Sequence, residues 1–142
     1  MRPVDDIEAL YAILKRYTPA VQRDRRLPVP PAHTVAVSSP ECGSRLELDA
    51  LIEDGRVREI GYRVRACSLA QAATAILASH AAGLDRAQLQ RVHRQFEALL
   101  RDGRGHCDWP ELEAFAAASD IPNRHGSALL PFRALEQLFE PG

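Results

Sequence analysis

The chain has 142 residues, 46% of them hydrophobic and 26% charged, with a formal net charge of -1 and three cysteines. That length and apolar content suit one globular domain over 1–142, and the near-neutral charge argues against a general nucleic-acid binder, which needs a concentrated positive field. No run approaches the roughly eighteen apolar residues of a membrane span, and the odd cysteine count with no signal-like start leads us to expect a cytoplasmic protein with free or metal-binding thiols.

Asp5 or Asp6 is placed to cap a first helix in which Ile7, Leu10, Tyr11 and Leu14 form an apolar stripe, expected to dock on a sheet. Thr18 to Ala32 carries Pro19, Pro28, Pro30 and Pro31 and reads as an extended connection over the surface. The β-branched run Thr34 to Val37 reads as a strand. Pro40 to Leu69 then holds two of the three cysteines and, at Asp54-Gly55, the dipeptide of a type I′ turn between alternating runs. The hairpin puts Leu46, Leu48, Ala50 and Ile52 on one face with Ile60, Tyr62, Val64 and Ala66. In an unbroken ladder about that turn, paired residue numbers sum to 109, and Cys42 and Cys67 satisfy this. An unbroken ladder would set them directly opposite, as suits a shared metal ion or a disulfide; a bulge or early fraying would shift that register, and the expectation is that the two thiols converge at the open end of the hairpin.

Ser68 with Gln71 reads as a capping box opening the helix Ser68 to Ala82, with Gly83 at its C′ position. Cys67 then stands at a helix N-terminus, where open amides and the macrodipole favour the thiolate, the form that attacks and ligates. Asp85 and Gln88 restart a helix burying Leu89, Val92, Phe96, Leu99 and Leu100, and Arg101 to Asp108 is a polar loop carrying His106 and Cys107. A short helix runs from Trp109 to Ala118. After Asp120 to Asn123, a last helix spans about Ser127 to Phe139 with Leu129, Phe132, Leu135 and Leu138 inward. His33, His80 and His93 lack partner spacing and read as structural or surface groups. The expected fold is α+β, a small antiparallel three-stranded sheet covered on one side by about five helices, with the site at the open end of the sheet. Arg23, Arg25 and Arg26, and Arg63 with Arg65 next to Cys67, read as a solvated face with ion pairs or as a docking surface for an acidic partner.

Glu41-Cys42-Gly43-Ser44-Arg45-Leu46, a hairpin, and then Ala66-Cys67-Ser68 opening a helix of small residues together resemble the U-type iron-sulfur cluster assembly scaffolds, the NifU-like and SufU-like family. Leu10-Tyr11, Ile13-Leu14, Tyr17 and Pro19 are similar to that family's N-terminal helix and the turn after it. Arg124-His125-Gly126-Ser127-Ala128-Leu129 with Phe132-Arg133-Ala134-Leu135 resembles its last motif and helix, so the likeness spans most of the chain. Two ligand positions depart from the pattern. Ser44 stands where the family has Asp two residues after its first cysteine, and Gly126 where it has its third cysteine.

The resemblance implies Cys42, Cys67 and His125 as the remaining ligands, and a transient iron-sulfur cluster or zinc, weakly bound. It implies a cysteine desulfurase and other iron-sulfur assembly proteins as partners, a monomer or weak dimer, and a carrier in place of an enzyme, with Cys42 and Cys67 accepting sulfur or binding iron or zinc. Zinc takes four ligands, and Cys107 or His106 is a candidate for the fourth. The missing ligands keep open an alternative, an interaction protein of scaffold fold that binds the desulfurase or another assembly factor without cargo. A third reading, an enzyme with Cys67 as nucleophile and His125 as base, requires those two groups within hydrogen-bond reach. No nucleotide-binding glycine loop, zinc-protease helix motif or nucleophile elbow is present.

Overall fold

A computed structural model describes residues 4–40 and 43–140. In chain order it contains α1 (Val4–Tyr17), a 3-10 turn (Thr18–Val21), β1 (His33–Ser39), β2 (Ser44–Glu53), β3 (Arg56–Arg65), α2 (Ser68–His80) and α3 (Arg86–Asp102). Two 3-10 segments (Pro110–Ala118 and Pro122–Arg124) then lead into α4 (His125–Phe139). The strands form one antiparallel sheet in the order β1-β2-β3, so the architecture is the expected α+β one.

Asp54 (φ 54°) and Gly55 (φ 74°) both take the positive φ of a type I′ turn. Next to the turn, Ile52 pairs with Val57 and Glu53 with Arg56, as the sum of 109 requires. A bulge between Leu51 and Ile52 then puts one extra residue into β3, and from Leu51↔Glu59 to Arg45↔Arg65 the numbers sum to 110. The bulge lets Val57 and Ile60, three residues apart, both bury at 0% and 4% exposure. The register expected to oppose the two cysteines is therefore displaced by one, and the ladder stops at Arg45 and Arg65. Cys42 itself lies outside the described residues. The apolar face is as expected: Leu46, Leu48, Ala50, Ile60, Tyr62 and Val64 are buried, with Ile52 and Ala66 packed at its margin.

α4 occupies the core face of the sheet, packing on β1 and β2 and flanked by α2 and α3. Its Ala128, Leu129, Phe132 and Leu135 are buried, and Phe132 lies 5.3 Å from Phe96, itself edge-on to Phe115. Because α4 fills that face, α1 docks on α2 and on Pro110–Ala118, where a stripe reaching the sheet was expected. Leu10 is buried and Ile13, Leu14 and Tyr17 pack on the core, whereas Ile7 and Tyr11 stay 44% and 64% exposed. α1 begins at Val4, so Asp5 and Asp6 fall inside its first turn and do not precede it as caps.

The capping box at Asp85 and Gln88 is formed in both directions, and α3 ends on Gly103 at φ 73°, two residues into the expected loop. The box expected at Ser68 is not formed. Cys67 is the N-cap, Ser68 is the first helical residue, and Gln71 sends its side-chain amide to the Ala66 carbonyl at 2.8 Å.

Residues 22–32 form a strap across the outer face of the sheet. Arg25 exchanges two backbone hydrogen bonds with Tyr62 on the free edge of β3. The Arg26 guanidinium grips both oxygens of Asp49 at 2.9 and 2.8 Å, and the Leu27 amide donates to the same carboxylate at 3.0 Å. Asp49, in the polar phase of β2, is thereby 0% exposed. Burial alone would raise its pKa, but the hydrogen bonds from Arg26 and Leu27 outweigh it and hold the carboxyl below its ordinary value.

Gly61 lies opposite Asp49 and directly beneath the strap. A Cβ there would stand 2.5 Å from the Arg25 carbonyl oxygen and 2.8 Å from an Asp49 oxygen. Gly61→Ala is therefore expected to destabilise the protein by about 1–3 kcal/mol, read as a lowered thermal midpoint. An unchanged midpoint would show that the strap lifts freely.

Candidate functional site

Three elements begin at one end of the sheet: β2 at Ser44, α2 just after Cys67, and α4 at His125. Two helix N-termini thus meet near one thiol, each presenting amides that the helix itself cannot satisfy. Cys67 is half-buried, while Ser44 and Ser127 are 1% and 0% exposed. The Cys67 amide donates to Ser44 Oγ at 3.3 Å, Ser127 Oγ donates to Ser44 Oγ at 2.6 Å, and Cys67 Sγ lies 3.2 Å from Ser127 Oγ. Since the Ser127 proton is engaged by Ser44, a neutral Cys67 thiol donates its own proton to the Ser127 oxygen. The three residues close a hydrogen-bonded ring.

His125 is the first residue of α4, where a loop was expected. Its Nε2 lies 3.1 Å from the Ala118 carbonyl oxygen. A carbonyl only accepts, so Nε2 carries the proton and Nδ1 keeps the lone pair of the neutral ring. The hydrogen-bond partner of the Cys67 thiol is accordingly Ser127 and not His125. Ser127 was missed from the sequence. Its only signal was a hydroxyl one residue beyond Gly126 in the opening turn of a helix.

His106 and Cys107 part company. Cys107 is fully buried, and burial pushes its thiol up to about 11, which keeps it protonated and away from solvent at neutral pH. His106 is exposed and lies 3.2 Å from Glu113. Among the described residues, no three His, Cys, Asp or Glu side chains gather as a metal-holding group. Cys67, His125 and two serines do not by themselves complete the four-ligand set that structural zinc takes. His80 stacks on Trp109 at 4.2 Å and bonds Glu111 at 2.8 Å, and His93 pairs with Glu136 beside Phe132, so both are structural.

The fold is shared with solved structures. One is a nitrogen-fixing NifU-like protein (N-terminal) from Brucella abortus, with a TM-score of 0.82 at 24% identity and 94% of each chain covered. Another is a proposed iron-sulfur cluster assembly scaffold protein for the SUF system of the thermophile Fervidobacterium islandicum AW-1, with a TM-score of 0.77 at 17% identity over 90% of this chain and 94% of that one. A hypothetical protein of known structure matches at a TM-score of 0.77 and 15% identity, over 94% of this chain and 98% of that one. No curated protein matches the chain by sequence. The family model described as the NifU-like N terminal domain matches residues 21–125, a stretch holding the hairpin, Cys42, Cys67 and the first residue of α4, and on that match the chain belongs to the NifU-like family of U-type iron-sulfur cluster assembly scaffolds.

Proposed function

We propose that this chain serves iron-sulfur cluster assembly as a sulfur acceptor or scaffold-like carrier, with Cys67 and Cys42 receiving sulfur or binding iron or zinc. The observation that carries the reading is the ring at Cys67. A half-exposed thiol sits at a helix N-terminus, and Ser44, at a position where the family pattern has a carboxylate ligand, is a neutral hydroxyl bonded to Ser127. Such surroundings suit a thiol that carries sulfur better than one locked in a permanent metal site. His125, with its Nε2 proton fixed by Ala118 and Nδ1 free to bind, is the further ligand in this reading.

In the transfer step the Cys67 thiolate attacks the terminal sulfur of a donor persulfide. A new S–S bond forms at Cys67, the S–S bond of the donor breaks, and the donor thiolate leaves, so no external oxidant or reductant is consumed. The donor this chemistry fits is a cysteine desulfurase, acting in the cytoplasm on a monomer or weak dimer of this chain. No helix among the described residues is long and apolar enough to cross a membrane.

The test is anaerobic incubation with a desulfurase and cysteine, followed by intact mass and peptide mapping. We expect a gain of one sulfur atom at Cys67 that is absent in Cys67→Ser. If the wild type gains no sulfur yet binds the desulfurase, the interaction-protein reading replaces this one.

A further inference from the structure

We infer that the outer face of the sheet beside Cys67 is a docking surface for an acidic segment of the protein that loads or unloads the thiol, an inference that rests on the sulfur-acceptor reading. Ala36, Ser38, Arg45, Glu47, Arg63 and Arg65 line a groove of about 370 Å³ there. The small side chains of β1 leave one side low, so an extended segment fits across the strands.

The charges are arranged against stability. Arg45 and Arg65 are direct cross-strand partners, and like charges in that position repel. Glu47 and Asp24 engage Arg63, and Asp24 also holds Arg65 at 3.0 Å, but among the described residues Arg45 has no acidic partner. A chain with a net charge of -1 thus concentrates unbalanced positive charge at one end of its sheet. Asp24 compensates the Arg65 half of this pair alone; a local rule left broken at Arg45 points to an external partner, and the partner that relieves this repulsion is a carboxylate. Arg45 directly follows Ser44, and Arg65 precedes Cys67 by two residues, so a segment held here brings its own protein to the thiol.

The test uses the full chain and a fluorescein-labelled oligoglutamate peptide, with binding followed by anisotropy over a range of ionic strength. We expect saturable binding at low salt that weakens as salt screens it. Arg45→Glu should weaken it about tenfold. Arg58→Glu, the same charge change near the turn end of β3, should leave it within about twofold. Arg45→Ala should unfold no earlier than wild type, because it removes a repulsion. Unlabelled oligoglutamate should also slow sulfur transfer to wild type and not to Arg45→Glu. No binding at low salt, equal effects of the Arg45 and Arg58 reversals, or transfer indifferent to the peptide would each overturn the docking surface. Cys67→Ser should bind the peptide as wild type does, so a failure of sulfur transfer with binding intact would remove the carrier reading and not the basic groove.

Discussion

Arg26→Ala is expected to lower folding stability by about 3–5 kcal/mol, a drop of roughly ten degrees in thermal midpoint for a chain of this size. The reason is an asymmetry within the Arg26–Asp49 pair. The Arg26 side chain is 38% exposed and returns to water if released, whereas Asp49 is 0% exposed and has nowhere to go. Removing the arginine leaves a buried carboxylate with only the Leu27 amide and nearby polar groups to support it. Asp49→Ala should cost less, about 1–3 kcal/mol, since it leaves one amide without its acceptor and no buried charge.

The pH dependence gives the signature. In the wild type the Asp49 pKa is lowered, so its contribution is present above the unfolded value near 4 and is lost as pH falls through the still lower folded value. In Arg26→Ala burial dominates and the folded pKa rises above the unfolded one, so the folded state binds the extra proton. The variant should therefore gain stability as pH falls from about 7 towards 4, where the wild type gains none from this group. Thermal unfolding across that range would show the difference, and parallel curves would mean that Asp49 is hydrated once the strap loosens.

Gly126→Cys is expected to tighten zinc or iron binding about a hundredfold, and Ser44→Asp added to it to tighten binding further. A complete structural zinc site is worth on the order of 10–16 kcal/mol over four ligands, hence about 3 kcal/mol for each. Gly126 is helical, the second residue of α4, so a cysteine takes its backbone without the strain of a left-handed position. Ser44 accepts from the Cys67 amide and the Ser127 hydroxyl, two donors that a carboxylate in its place would inherit. A competition titration against a chromophoric chelator, with thermal unfolding alongside, measures the gain. Should Gly126→Cys fold normally and bind no more tightly, this stretch has been placed wrongly on the family's third motif, and the role of His125 falls with it. Wild type holding one zinc per chain through dialysis against a chelator would likewise contradict weak binding.

Local chemistry was legible in the sequence wherever a few adjacent residues decide the outcome. Asp54-Gly55 gave the turn, Asp85 with Gln88 gave a capping box, and alternation gave the buried face of the hairpin. The bulge had one visible sign, Val57 out of phase with Ile60, which strict alternation has no place for. The helical spacing of Ile7, Leu10, Tyr11 and Leu14 says that α1 buries a stripe, but which face it buries depends on α4 having taken the sheet: Leu10 and Leu14 turn inward with Ile13 and Tyr17, while Ile7 and Tyr11 stay exposed. Asp49 looked like a solvated residue of an alternating strand because the strap that buries it comes from more than twenty residues upstream. At the site, Cys67 was evident from its place before a helix. Ser127 was not, since its importance comes from a contact with Ser44 across 83 positions.

The pairing of Arg25 with Tyr62 has a consequence for the solubility of the chain. An edge strand with unpaired amides and carbonyls is a template on which a second molecule can add its own strand, and β3 is such an edge except where Gly83, Leu84 and Asp85 cover its turn end and the strap covers Tyr62. The contact that shields Asp49 therefore also works as a guard against self-association. Loosening it exposes the edge of a β-rich segment, Ile60 to Val64, whose apolar residues favour intermolecular pairing. Damage to this one strap would accordingly show as concentration-dependent aggregation.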